Sequence, residues 1–357
     1  MTGITRASYG EGEDFAHTLL GQRATSLGLE VQIDAAGNTF MTLPGSDREA
    51  PAVIVGSHLD SVARGGNFDG AAGVVSGLVA VCALQDAGVV PGRDIRVMGI
   101  RGEEGEWFGV PFIGARSALG TFQPAEFDAK RVDSGVTVTE HMLASGGDPE
   151  AILAGDQSLP PAELHACIEV HIEQGPQLEE AGISTGIVTG IRGNSRLLDA
   201  RCFGEYSHCG GVPRARRHDA VVATAELISA LDEIWTEFET LDRDFAFTVG
   251  KLFTDEQHHQ MSKISGEVAF SLDMRSLDGE ILETMERRVA EICGDIGAKR
   301  GVVFELGEFI RAEPGPCSLR IREELLRSAA DLGIETTEIA SGCVLAPLLG
   351  ELSLSFR

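Results

Sequence analysis

The sequence predicts an α/β protein with a central mixed sheet and a second, smaller domain inserted into it. Three observations carry this prediction. Short apolar runs alternate with helical patterns through the first half. A β-α-β-β-α-β order appears once, in the second half. The length of 357 residues favours two domains at about 100–200 residues each.

Residues 52–57 form an apolar run suited to a buried strand, and 70–86 a small-residue helix. Residues 94–100 and 165–170 read as two further strands, and the order implies largely parallel pairing. Residues 122–161 are rich in Gly, Pro and polar residues and predict short helices mixed with loops. Residues 196–203 then alternate like a strand, and Val221, Ala225, Ile228, Leu231 and Trp235 recur at helical spacing. Strands follow at 245–253 and 267–275. Asp278 can cap a helix with Ile281, Met285, Val289, Ile292 and Ile296 on one face, and 302–306 closes as a strand. The predicted domains are therefore 1–192 with 313–357, and 193–312.

Lys plus Arg number 29 and Asp plus Glu 55, a net charge of −26. Nucleic acids and anionic membranes need a basic face, so neither is an expected partner. No apolar run approaches the roughly 18–20 residues that cross a bilayer, and no secretory signal opens the chain. The seven cysteines are scattered without CxxC spacing. They predict a reduced, cytoplasmic setting rather than a disulfide framework.

Four segments follow predicted strands: Gly56-Ser-His58-Leu-Asp60, Gly65-Gly-Asn-Phe-Asp69-Gly70, Arg101-Gly-Glu103-Glu104-Gly105 and His171-Ile-Glu-Gln174-Gly175. Open α/β sheets gather ligands beyond the carboxyl ends of their strands. Two histidines and several carboxylates there suggest divalent metals, zinc or manganese and cobalt. Asp69 can bridge two ions, and Asp60 can accept the free imidazole N–H of His58. Of the paired glutamates, one can bind metal while the other takes a proton.

These segments, in this order, resemble the M20 peptidase superfamily, and within it the amidase, hydantoinase and carbamoylase branch. The similarity runs from Gly3-Ile-Thr-Arg6 to about Gly342. His171-Ile-Glu-Gln-Gly-Pro176 is its most branch-specific piece; Ser207-His208, Gly210, Pro213 and Ser271-Leu-Asp-Met-Arg275 also fit. The resemblance implies two divalent ions per subunit held by His58, Asp69, Glu104 and His171, with Asp69 bridging. It implies Glu103 as general base, and Arg275 as the holder of a substrate carboxylate. His208 would reach the partner subunit's site and stabilise an oxyanion. Gln174 and Asn194 would contact substrate. The inserted domain would be a ferredoxin-like lid that also makes a homodimer.

The implied activity is hydrolysis of linear ureido or carbamoyl C–N bonds in small carboxylate-bearing substrates, N-carbamoyl-L-amino acids or allantoate. An M20 aminopeptidase or dipeptidase is the alternative, and a truncated inactive relative another. Two departures from the family pattern bear on this. Ser262-Lys-Ile-Ser-Gly266 stands where the family has Asn-Val-Val-Pro-Gly. After Ile339-Ala-Ser-Gly342, the chain reads Cys343-Val-Leu, so Leu345 stands where the family's last metal-binding His is expected. A frameshift or truncation is the expectation there, with residues missing beyond it and some absent upstream.

Overall fold

The computed structural model describes residues 3–341 and the backbone of Ser353–Phe356. Gly342, Cys343 and Leu345 lie outside the described residues. The chain divides into two compact units, 1–191 with 316–357, and 192–315.

The first unit is built on a mixed sheet. Helix α1 (Glu11–Ser26) leads into an antiparallel pair, β1 (Glu30–Ile33) and β2 (Thr39–Leu43). Acidic Glu11, Glu13 and Asp14 in the first turn of α1 favour its positive N-terminal end. Then come β3 (Ala52–His58), α2 (Ala71–Asp86), β4 (Ile95–Ile100), β5 (Leu164–Ile172) and β6 (Thr185–Ile191). The strand order is β1-β2-β4-β3-β5, with Ser353–Phe356 between β5 and β6, and Thr336–Ser341 beside β6. β3 is parallel to both β4 and β5, whereas β2 is antiparallel to β4. Every residue of β2 is buried, as a strand covered on both faces requires.

The three parallel strands set up the site. His58 is the last residue of β3 and lies opposite Ile100, the last of β4. Gly56 lies opposite Glu169 of β5, so the same register carried two residues on brings His58 beside His171. Between β3 and α2 the chain turns at Gly70, which has φ +63°. A Cβ there would lie 2.5 Å from the carbonyl oxygen of His58 and 2.6 Å from its ring, so only glycine fits.

The second unit has an antiparallel sheet covered by two helices. Its strands run Leu252–Thr254, Glu267–Ser276, Gly193–Phe203, Val303–Glu305 in spatial order. Ile310–Ala312 also pairs with Gly193–Phe203, and Ala246–Thr248 with Glu267–Ser276. The helices are Ala220–Thr240 and Gly279–Arg300, capped by the side chains of Asp219 and Asp278. Leu227, Leu231, Met285 and Val289 meet Leu272 and Met274 in the core.

The strand predicted over 245–253 is two short strands. Leu252 lies opposite Phe270 but Thr248 opposite Asp273, so three residues, 249–251, face two, 271–272. There Ser271 N donates to the Lys251 carbonyl, and its Oγ accepts from Lys251 N. The extra residue in 249–251 makes a bulge that splits the predicted strand in two.

Candidate metal centre

His58, Asp69 and His171 converge at the strand ends, and all three are buried. Their ligand atoms lie within 4.8 Å of one another. Asp69 Oδ1 is 3.1 Å from His171 Nε2 and 3.5 Å from His58 Nε2. The two rings stack at 5.7 Å between centroids. Glu103 and Glu104 approach His58 within the same 4.8 Å.

The hydrogen bonds on the other ring nitrogens test whether these residues fit a cation. His58 Nδ1 lies 3.0 Å from the Asp60 carbonyl, and His171 Nδ1 2.8 Å from the Ile172 carbonyl. A carbonyl oxygen only accepts, so each Nδ1 carries a proton. Both Nε2 atoms face Asp69 Oδ1, a buried atom with no hydrogen-bond partner among the described residues. With Nε2 deprotonated on both rings, these three atoms form a ligand set for a divalent cation. Asp69 Oδ2 accepts from Gln174 Nε2 at 3.0 Å.

The surrounding carboxylates favour positive charge at both Nε2 atoms, whether as a proton or as a cation. Burial opposes charge on His58, yet Glu103, Asp60 and Asp69 hold its pKa well above the ordinary value. His171 is raised too; burial opposes this, and Asp69 and Glu169 outweigh it. Burial also opposes ionisation of Asp69, but the two imidazoles drive its carboxyl far below the carboxylate range. This negative pocket favours whatever positive charge can enter it.

Glu103 is fully buried and pushed up to about 8, by burial first and by the carboxylates of Asp60, Glu104 and Glu169, against the pull of His58. Such a group can hold or release a proton near neutral pH. Glu104 is also raised, by burial above all.

Asp60 does more than the sequence suggests. The imidazole of His58 is 3.0 Å from the main-chain oxygen of Asp60 and 3.4 Å from its carboxylate. The carboxylate also takes the backbone N–H groups of Glu103 (3.1 Å) and Glu104 (3.0 Å), and the hydroxyl of Ser8 (2.5 Å). Glu13, also fully buried, takes the next N–H back, that of Gly102, at 2.9 Å. Three consecutive amides of the glutamate loop are thus tied to two buried carboxylates.

Sequence reasoning missed Glu13, Ser8, Arg6 and Glu169. Arg6 is buried and bonds the carbonyls of Leu59 and Asp69. Glu169 accepts from Ser57 Oγ at 2.7 Å, and its Oε2 has no hydrogen-bond partner among the described residues. A charge within the apolar run 165–170, on the same strand face as His171, was the available signal.

The remaining expected residues lie in the second unit. His208 is exposed, pairs across strands with Lys263, and accepts from Gly210 N at its Nδ1 (3.1 Å). Its Nε2 therefore bears the proton of the neutral ring. The carbonyl of Ser262 accepts from Cys209 N, the residue after His208. Asn194 and Arg275 lie directly opposite each other on neighbouring strands.

The mixed α/β sheet and the His–carboxylate donor set at its strand ends define the class, and the comparisons define the family. The Peptidase family M28 model matches residues 38–158, a stretch that holds His58, Asp69, Glu103 and Glu104. An N-carbamoyl-L-amino-acid amidohydrolase of Paenarthrobacter aurescens is 34% identical over 340 residues, 95% of this chain and 81% of that protein. The allantoate amidohydrolase of Bacillus subtilis (strain 168) is 29% identical over 95% of this chain and 80% of its own. The crystal structure of a hydantoinase/carbamoylase family amidase from Burkholderia ambifaria superposes with a TM-score of 0.87. It is 29% identical and covers 99% of this chain and 85% of that one. The chain belongs to this family of amidohydrolases.

Proposed function

We propose that the protein is a metal-dependent amidohydrolase that cleaves a linear ureido or carbamoyl C–N bond in a carboxylate-bearing substrate, an N-carbamoyl-L-amino acid or allantoate. The observation that carries this is the convergence of His58, Asp69 and His171 on an unsatisfied carboxylate oxygen, beside a protonatable Glu103. The names of the relatives support the bond type.

In this reading His58, Asp69, Glu104 and His171 hold two divalent ions, zinc or manganese and cobalt. Such ions, when bound, supply Lewis acidity toward a carbonyl and acidify water. Glu103 removes a proton from the attacking water and returns it to the leaving nitrogen. His208 donates from Nε2 to the developing oxyanion. Arg275 takes the substrate carboxylate on its guanidinium fork, and Gln174 and Asn194 add polar contacts. The 192–315 unit serves as a ferredoxin-like lid and as the homodimer contact; its βαββαβ element order supports this, and sedimentation as a monomer would refute the dimer.

The test is a substrate panel on protein loaded separately with Zn, Mn and Co. Turnover of N-carbamoyl-L-amino acids or allantoate, lost in Glu103→Ala, is the expected result. Turnover of dipeptides alone would make the protein a peptidase. Retention of no ion together with no turnover would make it a non-catalytic relative.

A further inference from the structure

Four polar side chains share one face of the strand pair Gly193–Phe203 and Glu267–Ser276. The register sets Asn194 opposite Arg275 and Arg196 opposite Asp273. Residues two apart on a strand face the same way, so the four lie together. Ser195 and Met274, between them, are fully buried on the other face.

Asp273 grips two guanidinium groups. Its Oδ1 accepts from Arg275 Nε at 3.3 Å, and its Oδ2 from Arg275 Nη2 at 3.1 Å. The same Oδ2 accepts from Arg196 Nε at 3.1 Å. Arg275 is thus held along one edge, and its Nη1 meets no acceptor among the described residues. All three side chains are roughly a third exposed, so solvent reaches the cluster. Alone, Asp273 would cancel the charge of Arg275. With Arg196 sharing the carboxylate, two cations and one anion leave one positive charge.

We propose that Asp273 is a positioning residue that fixes the guanidinium of Arg275, and that Arg196 keeps the cluster cationic so that it receives one carboxylate of the substrate. The proposal rests on the amidohydrolase reading and deepens it, since it makes this cluster the selector for a free carboxylate.

Charge and position pull in opposite directions here, which makes the idea testable. Asp273→Asn adds a net positive charge but releases Arg275. If position governs, KM for N-carbamoyl-L-alanine rises about tenfold, the loss of roughly one charge-assisted hydrogen bond, with kcat little changed. N-carbamoyl-L-alaninamide, which has no carboxylate, shows no such rise. Arg196→Ala raises KM on the acid, and Arg196→Lys restores it. An unchanged or lower KM on the acid, or an equal rise on the amide, overturns the proposal. Should wild-type protein turn over neither compound, the amidohydrolase reading fails. The proposal is then read from calorimetric binding of N-carbamoyl-L-alanine, and equal affinities of wild type and Asp273→Asn, including none, overturn it.

Discussion

Asp60 holds the backbone of Glu103, whose main-chain N–H donates to Asp60 Oδ1 at 3.1 Å. The other oxygen holds Glu104 N and Ser8 Oγ. One carboxylate therefore sets the start of the loop that carries both glutamates. Burial works against its charge, but the contacts to His58, Ser8 and Glu104 N keep its pKa below the ordinary value.

Asp60→Asn tests this clamp. Three donors now converge on the carboxylate, and an amide offers one accepting oxygen, so at least one buried donor is left unpaired. The expected cost is about 1–3 kcal/mol of stability. Calorimetric melting of the metal-free protein should show a lower Tm, and metal analysis fewer ions per chain. Unchanged melting and metal content would mean that other contacts hold the loop.

Gly70→Ala tests the close approach of the α2 turn to His58. The new Cβ would meet the His58 carbonyl at 2.5 Å and its ring at 2.6 Å, both in the rigid strand end. The positive φ adds strain of about 1 kcal/mol or more. Ring displacement separates His58 Nε2 from Asp69, so metal retention should fall together with Tm. A variant that melts normally and keeps its metal would refute the steric account.

Glu103 gives a pH signature in the metal-free protein. Its folded pKa of about 8 lies above the ordinary 4.5. The native state keeps a proton that the unfolded chain loses above 4.5. This contribution is full below pH 4.5 and is lost as pH rises toward about 8, with a size on the order of a few kcal/mol. Glu103→Gln cannot ionise, so its stability relative to wild type should climb between pH 4.5 and 8. Parallel melting curves of the two proteins over that range would contradict the buried, protonated state.

Much of the site was legible because its motifs follow apolar strands. His58, Glu103 and His171 needed only parallel strand order to meet, and the runs at 52–57, 94–100 and 165–170 suggested that order. The use of Asp60 was not legible, since two-residue spacing from His58 allows its carbonyl or its carboxylate to face the ring. Arg6, Ser8 and Glu13 act across sequence separations of 52 to 89 residues, and no local pattern encodes such contacts. The break in 245–253 is one extra residue within 249–251, which only the pairing with 267–276 reveals. Helix α1 was not predicted at all: its outward face carries Phe15 and Leu19, which blur the apolar stripe.

His17, on α1, gives the opposite pH signature to Glu103. Its Nδ1 lies 2.8 Å from Thr39 Oγ1, and its Nε2 is buried without a hydrogen-bond partner among the described residues. Burial first, and then Arg101, hold its pKa well below 6.5. The native ring stays neutral, while the unfolded chain binds a proton below about 6.5. Stability contributed by the neutral ring is therefore present above 6.5 and falls as pH drops toward the folded pKa. The slope approaches about 1.4 kcal/mol per pH step. His17→Gln keeps a polar partner for Thr39 but cannot titrate, so its Tm should fall less than that of wild type between pH 7 and pH 5. Because Glu103 stabilises the metal-free protein as pH falls and His17 destabilises it, the two variants should bend the stability curve in opposite senses. Equal slopes for His17→Gln and wild type would show that the buried ring is protonated in the native state.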